Sequence, residues 1–226
     1  GPAVTIPALS SWTYVFDPSL SGMDERGPMF GISHDKFQDI EDSLGNKLSA
    51  AIRYAIYNNF IDFHALNDGF ARPLKFGKAI QDLKFIGDRI VHMAAFTKAP
   101  VNLGTAVKPG SFFNNGEVTL ELKGVSVVDG AACAMVGYDS GESTLEMVIA
   151  TSSDQEIVMR GGSEYKGDIY IDLETAWVRK VTLDESGVTE SRALNEPTKI
   201  DGYTARHILL RLISQPDFEK GLAVSP

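Results

Sequence analysis

The chain has 226 residues, of which 43% are hydrophobic, enough for one large domain or two small ones with a buried core. Its formal net charge of -9 at pH 7 argues against a nucleic acid or an anionic membrane surface as partner, because both would repel it. No stretch approaches the roughly 20 apolar residues of a spanning helix, so the protein is predicted not to span a membrane. Gly1-Pro2 is typical of the remnant left when a protease removes a tag, and the sequence leaves open whether a signal peptide or lipid anchor precedes Ala3 in the native protein.

The first part of the chain is predicted to be mainly helical. A short strand is expected over residues 12–16, followed by a loop over residues 17–33. From Asp35 to about Ala65 apolar residues recur three or four positions apart, which predicts a long helix, although Gly45-Asn46 leaves open a break into two helices. Its second half carries several aromatic residues, which indicate burial on more than one side: Tyr54, Tyr57, Phe60 and Phe63.

The second half of the chain has the pattern of an antiparallel β-meander. Residues 117–123 alternate polar and apolar side chains, so Val118, Leu120 and Leu122 are expected to share one buried face. Turns are predicted where residues tolerate the backbone of a tight hairpin: Asn115-Gly116, Asp129-Gly130, Asp139-Ser140-Gly141 and Ser186-Gly187.

Two shorter segments complete the predicted elements. Residues 85–93 are predicted to form a strand, with a short hairpin about Gly87-Asp88 as the alternative. Residues 203–213 suit a strand or a helix, and a strand is slightly favoured. The predicted fold is one α+β domain over residues 1–226. A helical and linking part at 17–100 packs, through its long aromatic-rich helix, on a curved, half-barrel-like β-meander at 112–195.

The acidic side chains of residues 168–174 are the first candidate for chemistry. Strict alternation predicts one face with Asp168, Tyr170, Asp172 and Glu174. Three carboxylates suit a hard cation such as calcium. Neighbours on one strand face stand about 6.6 to 7 Å apart, too far for all three to share an ion, so a solvated face is favoured and no metal is predicted.

Other reactive residues give no recognisable motif. The four histidines are scattered without the close spacing of a local metal site. Cys133 lies in a small and apolar strand and is predicted to be a buried structural thiol. Residues 160–163 are rich in glycine, but no helix follows to bind phosphate, so they are interpreted as a strand end or bulge. No cofactor is predicted.

The apolar face of the meander is the second candidate. Three methionines occur in successive segments, and thioethers adapt to irregular apolar ligands. The face is either the dry core beneath the helix or the lining of a cavity, and the two are compatible. The predicted ligand-binding residues are Leu120, Leu122, Met135, Met147, Met159, Tyr57 and Phe60.

Two segments of the meander resemble a known group of proteins. Val128-Asp129-Gly130 with the strand that follows, and the hairpin over residues 168–183, are similar to hairpins of bacterial lipoprotein-carrier-like half-barrels. That group includes the periplasmic carrier of outer-membrane lipoproteins and mycobacterial lipid-binding lipoproteins. The resemblance covers the second half of the chain. It implies a curved antiparallel sheet that clasps helices around an acyl-chain cavity, in the periplasm or another extracytoplasmic compartment.

The sequence therefore predicts a non-catalytic, extracytoplasmic binding module for an apolar or amphipathic, lipid-like small molecule. One alternative is an enzyme acting in the same cavity, with acid and base groups drawn from Tyr170, Asp168, Asp172, His64 and His92. Another is a structural subunit of a larger assembly whose apolar surface meets a protein partner.

Overall fold

The computed structural model describes residues 21–24, 27–30, 46–101, 107–150, 156–194, 197–214 and 216–217. The strand predicted at residues 12–16 and the helical residues 35–45 lie outside this part of the chain. Within it, the first elements are a two-stranded hairpin, β1 (Ser21–Asp24) and β2 (Gly27–Phe30), and the helix α1 (Ala50–His64). A π-helical turn (Ala65–Phe70) extends α1, and a 3₁₀ turn (Ile80–Asp82) follows.

Nine further strands make one antiparallel sheet. They are β3 (Arg89–Val91), β4 (Lys98–Pro100), β5 (Phe112–Asn114), β6 (Thr119–Val128), β7 (Ala131–Asp139), β8 (Ser143–Ala150), β9 (Glu156–Asp172), β10 (Val178–Ala193) and β11 (Lys199–Arg211). The predicted antiparallel sheet is thus confirmed, but the strands do not follow the simple order of a meander, because β7 and β8 both pair with β9 and not with each other. Residues 203–211 lie in β11 and are strand.

Strand β9 organises the sheet. One of its edges pairs with β10 along nearly its whole length, and β11 continues the sheet beyond β10. Its other edge pairs with β7 near the carboxyl end and with β8 near the amino end. The sheet forks there, one arm running from β7 to β6 and β3 and the other from β8 to β5 and β4.

The long helix was a wrong prediction. Residues 46–49 are not helical, and α1 is only 15 residues long. The non-helical backbone at 46–49 agrees with the break that Gly45-Asn46 left open. At the other end, the backbone widens into the π-helical turn, where Nδ1 of His64 lies 2.7 Å from Oδ2 of Asp68.

Only one of the four predicted turns is a hairpin. Asp129 and Gly130 have φ of 47° and 81° and join β6 to β7 as the sequence pattern predicts. Asn115-Gly116 and Ser140-Gly141 connect strands that do not pair with each other. Ser186-Gly187 lies inside β10, and Gly161-Gly162 lies inside β9 rather than at a strand end. Pairing with strands on both sides overrides the local turn preference of these glycines.

Alternation along the strands gives the sheet two faces. The inner face carries the row Leu122, Val136, Ile169, Val181 and Leu210, which lie opposite one another in register. Leu66 and Phe70 of the π-helical turn belong to the core that packs on this face. The outer face carries the row Glu121, Gly137, Asp168, Thr182 and Leu209. The core is therefore one-sided, as the alternation predicts.

Within the described residues, no helix combines the length and the apolar composition needed to cross a bilayer.

Candidate functional site

A cluster of charged residues lies on the inner face where α1 meets the sheet. Nη1 of Arg206, on β11, donates to Oδ1 of Asn59 at 3.1 Å, and its Nη2 lies 3.0 Å from Oδ2 of Asp62. Its Nε donates to Oε2 of Glu185, on β10. The other oxygen of Glu185 accepts from the Tyr165 hydroxyl at 2.8 Å. We call Asp62, Tyr165, Glu185 and Arg206 the ionic cluster.

The ionic cluster is well shielded from water. Burial raises the pKa of Asp62 from 3.8 to about 6, an effect that Arg206 opposes and Glu185 reinforces. Burial and the adjacent Glu185 carboxylate also raise the pKa of Tyr165, so its hydroxyl stays protonated and donates. Two carboxylates face one guanidinium, and the cluster carries a net charge of about -1 when Asp62 is ionised. Such a site favours a ligand group that is cationic or donates hydrogen bonds.

The predicted ligand-binding residues fall into separate groups. Leu120 and Leu122 lie on the inner face near the core, Leu120 fully buried and Leu122 partly buried. Met147 and Met159 are directly opposite each other on the inner face of the β8–β9 arm. Met135 lies opposite Tyr170 on the outer face, away from these residues.

The two predicted helical residues lie on α1. Tyr57 is 2% exposed, and the ring of Phe60 lies 5.2 Å from the ring of His64. They belong to the helix that carries Asp62: Phe60 lies about half a turn and Tyr57 about 1.4 turns before it.

Small residues separate the ionic cluster from the methionine pair. Along β9, the inner face reads Met159, Gly161, Ser163 and Tyr165, a span of about 20 Å at the usual rise of a strand. Gly187 lies opposite Ser163 on β10. The buried Ser163 hydroxyl has no hydrogen-bond partner in the described structure. This middle part of the inner face therefore carries little side-chain bulk and one unpaired polar atom.

The candidate acid and base groups do not come together. Asp168 pairs with Lys123 at 2.6 Å on the outer face, and Tyr170 on the same face lies under Lys180. His64 contacts Asp68, whereas His92 is 1% exposed, and burial lowers its pKa to about 4. Among the described residues, no three histidine, cysteine or acidic side chains are placed to hold a metal ion.

Asp172 is not a solvated member of the outer face. It is 4% exposed, because the turn between β9 and β10 folds over it. Its carboxylate accepts from the backbone N–H groups of Thr175 and Glu174, each at 2.9 Å, and from Arg179 Nε at 2.7 Å. These hydrogen bonds lower its pKa from 3.8 to about 2. The alternating pattern predicted an exposed Asp172 side chain, and this was wrong because Asp172 ends β9 and caps the following turn.

The Cys133 thiol is buried, as predicted from its small and apolar neighbours. Burial and the nearby Asp172 carboxylate raise its pKa, which disfavours the nucleophilic thiolate.

Two open concavities are lined largely by polar side chains. One, of about 430 Å³, lies at the β9–β10 turn beside Asp172 and Arg179. The other, of about 460 Å³, lies on the outer face around Gly137, Lys123 and Asp168. Neither is lined by a predicted ligand-binding residue.

Sequence reasoning did not select the ionic cluster. The sequence did contain an indication of it. Alternation along the strands places Glu185 on the same face as the buried Val181 and Leu183, and Arg206 on the same face as the buried Ile208. Charged residues at strand positions that face the core are rare, and they therefore indicate a candidate site. The sequence contained no such indication for Asp62, because apolar residues occur on all sides of α1 and do not show which side is buried.

Comparison of the chain with protein-family models, with curated proteins and with solved structures gave no match.

Proposed function

We propose that this protein is a non-catalytic binding module whose inner face holds an apolar or amphipathic, lipid-like molecule. The observation that carries the proposal is the composition of that face. It runs from the core at Leu122, across the small residues of β9 and β10, to the methionine pair Met147 and Met159. An extended apolar chain suits such a surface, because its side chains are small or apolar and the thioethers adapt to the shape of a ligand.

Glycine contacts support a sheet that curves towards its inner face, as a half-barrel requires. A β-carbon added to Gly161 would overlap the Val188 carbonyl oxygen, and one added to Gly167 would overlap that of Thr182. Both positions point to the inner face, so β10 approaches β9 closely on that side. Glycine is typical of strand positions where a sheet bends or another backbone comes near.

The ionic cluster supports an amphipathic rather than a wholly apolar ligand. It places a polar group with spare acceptor capacity at one end of the small-residue surface, about 20 Å from the methionine pair. A ligand with a polar head and a chain of that length would satisfy both ends. The acid and base groups selected from the sequence, Asp168, Tyr170, His64 and His92, do not come together, which argues against catalysis by those residues. The resemblance to lipoprotein carriers adds the expectation of an extracytoplasmic location.

The first test is to look for the ligand directly. Protein purified without detergent and analysed by native mass spectrometry should carry a co-purified amphipathic molecule. A fluorescent probe that brightens in apolar surroundings should bind the stripped protein.

Tryptophan variants then locate the binding surface. Met147→Trp and Met159→Trp should weaken probe binding in variants that stay folded, because a large ring would occupy the surface proposed to bind the probe. Met135→Trp is the matched control, since Met135 lies on the outer face. Equal probe affinity in all three folded variants would contradict the proposal, and loss in Met135→Trp alone would move the ligand to the outer face.

A further inference from the structure

Strand β11 is a long free edge of the sheet. It is 13 residues long and pairs with β10 on one side, and no other described strand lies on its second side. Residues 199–205 are exposed regardless of the face to which they point. Free N–H and C=O groups on an edge of this length readily accept another strand.

The exposed apolar residues of this edge are arranged symmetrically. Five large apolar side chains are exposed over residues 199–213, namely Ile200 (68%), Tyr203 (73%), Leu209 (52%), Leu212 (41%) and Ile213 (56%), and the first four are placed symmetrically. Tyr203 and Leu209 are each three residues from Arg206, and Ile200 and Leu212 are each six residues from it. A strand with this symmetry is complementary to an antiparallel copy of itself.

We propose that β11 pairs with β11 of a second copy of this chain, antiparallel and with Arg206 opposite Arg206. This register places Tyr203 against Leu209 and Ile200 against Leu212, twice each. It also places Asp201 against Arg211, twice. Four exposed large apolar side chains then meet one another in pairs, and Asp201 near one end of the strand meets Arg211 at the other end with opposite sign.

Charge selects this register over its neighbours. A two-fold axis that relates two antiparallel strands of one sheet is perpendicular to that sheet, so the inner faces of both copies lie on the same side. Residues opposite each other must then point to the same face, and one strand can shift along its copy only in steps of two residues. With Ala205 at the centre, Lys199 would face Arg211, a like-charge pair. With His207 at the centre, Arg211 would face Tyr203 and lose its acidic partner.

The proposed register is compatible with the existing ion pairs. The two central Arg206 side chains are each already neutralised by Glu185 and Asp62 of their own protomer. Arg211 contacts Asp129 at 2.9 Å, but both side chains are about half exposed, so this pair is weak and exchangeable.

Sedimentation of the full chain tests the proposal. The wild-type protein should dimerise, and Asp201→Arg should raise the dimer dissociation constant by about tenfold, since two like-charge contacts replace two attractive ones. Arg211→Asp should do the same, and the double variant Asp201→Arg with Arg211→Asp should restore dimerisation. Val127→Lys, a change at an exposed position on β6 (72%), is the control and should leave dimerisation unchanged.

Circular dichroism and thermal melting establish that each variant is folded, and the two single variants probe the same contact from opposite sides. A wild-type monomer at all concentrations would overturn the proposal. A dimer that neither single variant weakens would place the interface elsewhere. A double variant that remains as weak as the single ones would overturn the register.

Discussion

Arg206 on β11 and Asp62 on α1 lie 3.0 Å apart, measured from Nη2 to Oδ2, and join the helix to the sheet within the ionic cluster. The pair is within ion-pair distance, although Oδ2 is not aligned to accept a hydrogen bond. The net stabilisation from this ion pair is moderate, because the cost of burying the Asp62 carboxylate opposes its attraction to the guanidinium.

We expect Asp62→Asn to alter the pH dependence of stability. Because the pKa of Asp62 is raised from 3.8 to about 6, the folded state binds more protons than the unfolded state between these values. Stability from this group is therefore present below about pH 4 and lost as pH rises through about 6. Relative to wild type, the variant should gain about 1 to 3 kcal/mol in free energy of unfolding between pH 4 and 7.

Urea unfolding at a series of pH values checks this difference between the two proteins. Glu117→Gln, at an exposed position, is the control and should leave the pH profile unchanged. A difference between wild type and Asp62→Asn that stays constant with pH would show that Asp62 titrates normally.

Leu120→Ala should reveal how far the inner face is a packed core. Leu120 is 0% exposed, so its truncation should cost about 2 to 5 kcal/mol in free energy of unfolding. Val127→Ala on the same strand, where the side chain is 72% exposed, should cost less than about 0.5 kcal/mol. Chemical denaturation measures both, and similar small losses would mean that β6 buries no core face.

Gly167→Ala should destabilise the sheet far more than Gly187→Ala. The added β-carbon at Gly167 would overlap the Thr182 carbonyl oxygen, whereas at Gly187 the nearest atoms would lie at an ordinary 3.4 Å. Both glycines are inside strands and face the same side. We expect a loss of about 1 to 3 kcal/mol for the first and a change within about 0.5 kcal/mol for the second. Thermal melting of the two variants tests the close approach of β9 and β10, which equal melting temperatures would refute.

Calcium should not stabilise the protein. The Asp172 carboxylate is already engaged by two backbone N–H groups and Arg179, and Asp168 is paired with Lys123. Asp172→Asn should lower the melting temperature with or without calcium, because the turn loses its charge-assisted hydrogen bonds. Glu174→Gln, at an exposed neighbouring position, should leave it unchanged. A melting temperature that rises with millimolar calcium, and only when Asp172 is intact, would restore the cation site.

Much of the β-structure was predictable because it depends on local pattern. The alternation at residues 117–123 indicated which side chains of β6 are buried, and Asp129-Gly130 indicated the β6–β7 hairpin, whose backbone has positive φ. The length of α1 was not predictable, because the apolar spacing of residues 35–65 continues across the non-helical residues 46–49. Period alone does not show where a helix begins.

Sequence alone determined the class of structure and the one-sided core, since strand periodicity and burial of apolar surface follow from neighbouring residues. Tertiary structure decided which glycines are turns and which lie in strands, because pairing on both edges of β9 and β10 outweighs local preference. It also decided the candidate site. Asp62 and Arg206 are 144 residues apart along the chain, and only the packing of α1 on the sheet brings their charges within reach of each other.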